Sequence, residues 1–536
     1  MKKYIYKLSI LFLAVAMVGC SNLDDELEKI NIDSKNPSEV PGEPLFTNGA
    51  RDMFDLLLGT NVNSNVFRLY SQYWAQTTYP DESQYNQVTR NIPDNMWRTL
   101  YRNTLKDITG AREIISQQET VTASEEAIKN NKLAVITIVE TFAYATLVDI
   151  FGNVPFTEAL DVNNVSPSYD DAATVYSTII GNLNTAISAI TQSEVGFANQ
   201  DPIYEGDMAM WYKMANSLKL RLAMRLADVN ASTAQTMAEE AAANVISSNS
   251  ENFSIAYTNS SPNTHPLWVD LVQSGRNDFV PSNVLTGVMN GYSDPRMLKY
   301  FTQQEFEYDK DDNGDNIDTE IEGSGSLLLV FEDVDGMDSL VSVNLPYTVL
   351  AADDYEFGYF TGGVYGSANA ASGFSQIGDF FKEPDLQGTL LSYAEVEFLL
   401  AEAAARGYSV GGTEESHYEA GIRASMDEFG IGNIYVDAYL LEPDVAYATA
   451  AGDWKQKIGT QKWIAMYNIP FEGWTTWRLL DFTGIFQAPE GLTLGDIPVR
   501  FIYPIEEATL NGAQYDAAAS AIGGDLKSTK LFWDVN

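Results

Sequence analysis

The chain has 536 residues, 45 % of them hydrophobic, with 74 acidic and 32 basic side chains and a formal charge of −42. That hydrophobic content excludes wholesale disorder and allows a large core. So negative a surface is repelled by nucleic acid and by anionic lipid headgroups, which excludes both as partners.

The N-terminus reads as an export signal. Lys2, Lys3 and Lys7 precede an apolar run from Leu8 to Val18 broken only by Ser9, and the run closes on Gly19 and Cys20. It is about half the ~20 residues that a membrane-spanning helix needs. Cys20 is the only cysteine, so no internal disulfide can form. Gly19-Cys20 after this run resembles a bacterial lipobox, although Met17 replaces the more usual leucine. That resemblance implies cleavage before Cys20 (residues 1–19 removed) and acylation of Cys20, with palmitate among the chains. Each buried methylene contributes ~0.8 kcal/mol, so several acyl chains tether the protein without spanning the bilayer. Asp24, Asp25, Glu26 and Glu28 form an acidic flank that resembles a sorting signal to the outer face of the outer membrane. Residues 20–44 carry Pro37, Pro41 and Pro44 with no amphipathic period, and read as a flexible tether before a single body over 45–536.

Within that body Trp74 to Tyr85 (WAQTTYPDESQY) is irregular and aromatic. Asn131 to Phe151 is apolar enough to raise a membrane question, but Glu140, Asp149 and the stop at Gly152 to Pro155 predict a buried helix. Asp171 to Ile190 carries an apolar stripe at Val175, Tyr176, Ile179, Leu183 and Ile187, and Met208 to Leu226 another at Trp211, Met214, Leu218 and Leu222. Residues 306–380 differ, with acidic runs, glycine clusters and short β-prone stretches that predict loops and small sheets inserted into a helical frame. The insert includes Asp309, Asp311, Asn313, Gly314, Asp315 and Glu320, which fit the D-x-D-x-N-G-x₅-E calcium loop. Ile317 stands where a polar ligand is usual, so the expectation is an EF-like loop whose structural Ca²⁺ rigidifies the insert. Tyr355 to Tyr365 (YEFGYFTGGVY) is the second aromatic stretch, with Gly358, Gly362 and Gly363 free to bend it around a ligand. Ser392 to Ala405 ends at Arg406-Gly407, Tyr418 to Phe429 pairs with it, and Lys455 to Tyr467 opens another hairpin. The class is mainly α, with degenerate tetratricopeptide-like helix pairs.

Five segments, in order, are similar to SusD/RagB-type nutrient-binding lipoproteins. They are Phe142–Phe156 (FAYATLVDIFGNVPF), Ala215–Arg225 (ANSLKLRLAMR), Asp294-Pro295-Arg296, Leu391–Ala403 (LSYAEVEFLLAEA), and a C-terminal set. That set is Gln461, Trp463, Gly473, Trp474, Trp477, Arg478 and Pro498 to Pro504. Arg478-Leu479-Leu480 departs from members with two successive arginines, which bears on local ion pairing. The resemblance implies four tetratricopeptide-like pairs and a lid role on a SusC-like, TonB-dependent outer-membrane transporter. Arg221, Arg225, Glu395, Glu402, Trp463, Trp474 and Trp477 read as framework, since a motif buried in helix hairpins identifies a fold without marking a ligand site.

An enzyme has little support. His265 and His417 are the only histidines, and no His-Glu-x-x-His, Gly-x-Ser-x-Gly or cysteine nucleophile is present. Among 74 carboxylates some pair always mimics the acid and base of a surface glycoside hydrolase, the alternative reading, and so none is specified. Aromatic residues make up 12 % of the chain, and rings interleaved with polar groups suit a shallow site for an oligosaccharide or an oligopeptide. The expected ligand surface is Trp74, Tyr79, Tyr355, Tyr359, Phe360 and Tyr365, on the face that closes against the transporter.

Overall fold

The computed structural model describes residues 41–302, 304–305, 328–334, 337–342 and 358–535. Cys20, the acidic flank and the calcium-loop residues Asp309, Asp311, Asn313, Asp315 and Glu320 lie outside them.

The longer helices pack as pairs. α1 (Gly42–Leu58) lies against α2 (Lys106–Ser116), and α3 (Ala123–Phe151) against α4 (Ala172–Ala189). α5 (Met208–Leu226) pairs with α6 (Ala231–Ala241), α7 (Tyr393–Ala405) with α8 (Glu414–Glu428), and α9 (Trp454–Ala465) with α10 (Pro470–Leu480). α1 begins inside the span expected to be tether, and Pro44 is harmless there because the first turn needs no amide donors. α3 starts eight residues before its apolar run, at a capping box in which Thr122 accepts from the Glu125 amide and Glu125 accepts from the Thr122 amide (3.2 and 3.0 Å). It is the one described helix long and apolar enough to cross a membrane, and 83 % of that apolar window is buried inside the protein.

Two small antiparallel ladders tie distant segments together. β1 (Trp74–Gln76) pairs with β3 (Phe279–Pro281), and β2 (Phe253–Ile255) with β8 (Gly388–Leu391). The expected insert contributes β5 (Leu328–Val334), β6 (Met337–Ser342) and β7 (Gly358–Tyr359), which form one sheet with β4 (Gln304–Glu305) just before it, in the order β4-β7-β5-β6.

The family-like residues build a buried charge network that joins the pairs. Arg221 on α5 donates to both carboxylate oxygens of Glu395 on α7 at 2.7 Å and to the Leu390 carbonyl at 2.8 Å. One turn on, Arg225 donates to Glu472 on α10 at 2.6 Å and to Asp149 on α3 at 3.2 Å. Asp149 also accepts from the Trp533 indole at 2.8 Å and from the Tyr176 hydroxyl. Burial by itself raises the pKa of Glu472, but Arg225, Arg221 and Lys462 more than offset it and hold the carboxyl at about 2. Arg478 stacks on Trp474 with its guanidinium 3.5 Å from the ring and donates to the Asp149 and Val499 carbonyls at 2.8 and 2.9 Å. Burial pushes its pKa down to about 9. Arg500 donates to the Phe151 carbonyl, satisfying an orphan acceptor where α3 ends at Gly152 (φ +87°).

His265 is a packing residue. It is fully buried edge-on to Tyr257, and its Nδ1 accepts the Leu267 amide at 3.1 Å. Burial, with Arg68 adding to it, pushes the imidazole down to about 3. The unfolded chain therefore takes up a proton near pH 6.5 that the folded chain refuses. This contribution is complete above pH 6.5 and is lost as pH falls toward 3. Urea titrations from pH 7 to pH 4 should show a shallower acid loss in His265→Asn, which keeps a capping acceptor; parallel curves would refute the assignment.

Candidate functional site

A cleft of about 290 Å³ opens where three segments distant in sequence meet: residues 60–63 after α1, residues 76–90 from the end of β1, and residues 270–279 running into β3. The β1–β3 register brings two of them together, with Gln76 opposite Phe279 and the Thr77 amide donating to the Asp278 carbonyl at 2.9 Å. Gln76 then organises the following loop. Its amide nitrogen donates to Glu82 at 2.6 Å and to the Tyr79 carbonyl at 3.1 Å, while its oxygen accepts from the Ser83 amide and hydroxyl. Arg90 pairs with the same Glu82. So held, Tyr79 takes a left-handed backbone (φ +51°) and presents its ring at the cleft, 68 % exposed. That is a large aromatic surface to leave in water, and strained, over-determined backbone of this kind gathers at binding sites.

Other lining residues are charged and hydrogen-bonded. Asp270 accepts from the Thr60 amide at 3.0 Å, and burial raises its pKa against that bond and the nearby Arg68. Arg276 donates through two nitrogens to Asp278, 2.5 and 2.8 Å, which sets a planar guanidinium–carboxylate pair beside Phe279. Asn61 and Asn63 also line the cleft. A flat exposed ring in one cleft with planar donors and acceptors suits a polar oligomer that has apolar faces and hydroxyl edges.

Of the expected ligand residues whose side chains are described, Tyr79 alone lines this cleft. Trp74, Phe360 and Tyr365 are corrections: they are 0 %, 0 % and 3 % exposed. The Trp74 indole donates to the Tyr467 hydroxyl at 2.8 Å and covers the Arg68 guanidinium, 4.7 Å from its ring. Phe360 packs beside Phe301, and the Tyr365 hydroxyl donates to the Leu69 carbonyl at 2.7 Å. A ring enclosed on all sides offers no face to a ligand. Tyr355 and the Tyr359 side chain lie outside the described residues. Arg276, Asp278, Asn61 and Phe279 escaped sequence reasoning because nothing local marks them; only strand pairing gathers them around Tyr79. Among the described residues no cluster of three or more His, Cys, Asp or Glu side chains could hold a metal ion.

Comparison with known proteins places the fold. A chitin-binding protein superposes with a TM-score of 0.72 at 23 % identity, covering 92 % of this chain and 100 % of its own. A chitin-binding SusD homolog from Flavobacterium johnsoniae gives 0.67 at 24 %, covering 92 % and 98 %. A SusD homolog from Bacteroides uniformis gives 0.70 at 21 %, covering 92 % and 99 %. No curated protein matches significantly in sequence. The SusD-like family model described as "Starch-binding associating with outer membrane" matches residues 34–357 and 337–504, and this chain belongs to that SusD-like family.

Proposed function

We propose that this protein is a non-enzymatic, cell-surface lipoprotein that captures oligosaccharide in the cleft beside Tyr79 and passes it to a SusC-like TonB-dependent transporter, for which it acts as the lid. The observation that carries the reading is the Tyr79 ring, left exposed by a loop that Gln76 holds in place, in one cleft with the Arg276–Asp278 pair. Sugars offer this geometry a C–H face for stacking and vicinal hydroxyls for bidentate hydrogen bonds. The family's description as starch-binding, and chitin-binding neighbours of the same fold, support the saccharide class over a peptide.

A glycan array probed with soluble protein, alongside a peptide array, tests the class. Binding to peptides alone overturns the saccharide reading. With an array-positive glycan, Tyr79→Ala should weaken affinity by about 1–3 kcal/mol, the range for one central aromatic anchor, and leave the melting temperature unchanged because the ring packs little of the core. Unchanged affinity by calorimetry would move the site elsewhere.

The same proposal includes acylation at Cys20, display on the outer face of the outer membrane, and one Ca²⁺ held by Asp309, Asp311, Asn313, Asp315 and Glu320. Carboxylates so close in sequence repel one another unless a cation neutralises them. Native mass spectrometry of protein purified from membranes should find an acylated N-terminal Cys20 and one calcium per chain, and chelation should lower thermal stability by mass action. An unmodified N-terminus refutes the anchor; absence of calcium, with melting indifferent to chelator, refutes the metal.

A further inference from the structure

α3 lines a groove that lies apart from the cleft. Asn130, Thr137, Glu140 and Tyr144 recur on one face at helical spacing and line a groove between α2 and α4. From residue 130 to residue 144 it runs roughly 21 Å at the α-helical rise. Its two parts share Glu140 and Asn182 and hold about 460 and 180 Å³. The larger falls within the ~300–1,000 Å³ of ordinary small-molecule sites.

The groove is preformed and polar. Arg112 on α2 donates to the Thr137 hydroxyl at 3.1 Å and to the Glu140 carboxylate, fixing both, yet the two charged side chains stay 32 % and 23 % exposed, open to a further partner. In the smaller part the Thr109 hydroxyl is buried with no hydrogen-bond partner among the described residues, and Tyr144 meets Phe156 edge to face with ring centroids 4.7 Å apart. The larger part is walled by helices whose backbone groups are already paired. Phe156, Ala159 and Leu160, which line the smaller part, belong to a loop and turn, so an extended peptide finds no strand edge to extend. The apolar lining of the larger part is Leu133 with Ala134, Ala186 and Ala189, and the rest of it is polar, a poor match to the bulky apolar anchors of a docking helix. What remains is a trough of side-chain donors and acceptors with aromatic rings at one end, which is the chemistry of hydroxyl-rich ligands.

We propose that this groove is a second saccharide site, sized for a short oligosaccharide and sharing no lining residue with the cleft; the inference rests on the saccharide reading above. Calorimetric titration with chitohexaose and with maltohexaose tests it on four forms: wild type, the cleft variant Tyr79→Ala/Arg276→Ala, the groove variant Asn182→Leu/Thr185→Leu, and their combination. Asn182 and Thr185 are exposed on α4, so the groove variant should fold, as its melting curve will verify. The expected result, with one of the two saccharides, is two sites in wild type, one in each paired variant and none in the combination. A single wild-type site that disappears in the cleft variant overturns this inference and leaves the proposed function standing. Two sites untouched by the groove variant overturn it equally. No binding of either saccharide by any form overturns it together with starch- and chitin-type ligands for the cleft.

Discussion

Replacing Arg225 by alanine should destabilise the protein by about 3–5 kcal/mol, because removing one member of a buried charge set strands the others. Arg225 is fully buried and answers two carboxylates, Glu472 on α10 and Asp149 on α3. Without it Glu472 keeps, among the described residues, Arg221 at 3.7 Å and the buried Lys462 nearby. Glu472 titrates at about 2 in the folded chain against 4.5 ordinarily, so its contribution is complete above pH 4.5 and is lost as pH falls toward 2. Arg225→Ala should therefore lower the urea midpoint most at neutral pH, and the gap to wild type should narrow in acid. The double variant Arg225→Leu/Glu472→Leu removes both charges and should lose less than the two single variants added together. An Arg225→Ala protein with an unchanged midpoint would mean that the network carries no stability.

Trp74→Ala should cost about 3–5 kcal/mol through the cavity left by a fully buried indole. The loss is more than volume. The indole donates to the Tyr467 hydroxyl and lies over Arg68, whose pKa burial has already pushed down to about 10, so the variant also exposes a strained cation to an empty space. Trp74 stands opposite Pro281 in the ladder that sets the cleft, so ligand binding should fall along with stability. Trp74→Phe keeps most of the volume and should recover more than half of both. Tyr79→Ala does the reverse, with affinity lost and stability kept. A Trp74→Ala protein with wild-type stability and weakened ligand affinity would restore Trp74 to the ligand surface.

How much of this was legible beforehand divides along physical lines. α5 runs from Met208 to Leu226, the span its apolar stripe predicts, and α7 ends where Gly407 (φ +85°) stops it. The start of α3 was also written locally, since Thr122 and Glu125 have capping-box spacing. Helix periodicity and caps are properties of neighbours in the chain, so a linear reading reaches them.

The aromatic stretches are different. Trp74 and Tyr79 sit five residues apart in one segment of uniform character, and one is core while the other is 68 % exposed. Composition scores a ring the same way on either side of a strand; the side is chosen by what packs against it, here Arg68, Tyr467 and Phe279. Gly362, expected to bend around a ligand, instead lets two backbones meet: a Cβ there would lie 2.2 Å from the Ser282 carbonyl carbon, and the next residue's amide donates to the Pro281 carbonyl. By itself the sequence determined the helical class, the family resemblance and the arginines and carboxylates of the frame, because these rest on local spacing and on residue types that cannot be buried unpaired. Tertiary structure alone decided which ring faces water and which distant segments form the cleft, because burial and strand pairing depend on partners some 200 residues away, as between Gln76 and Phe279.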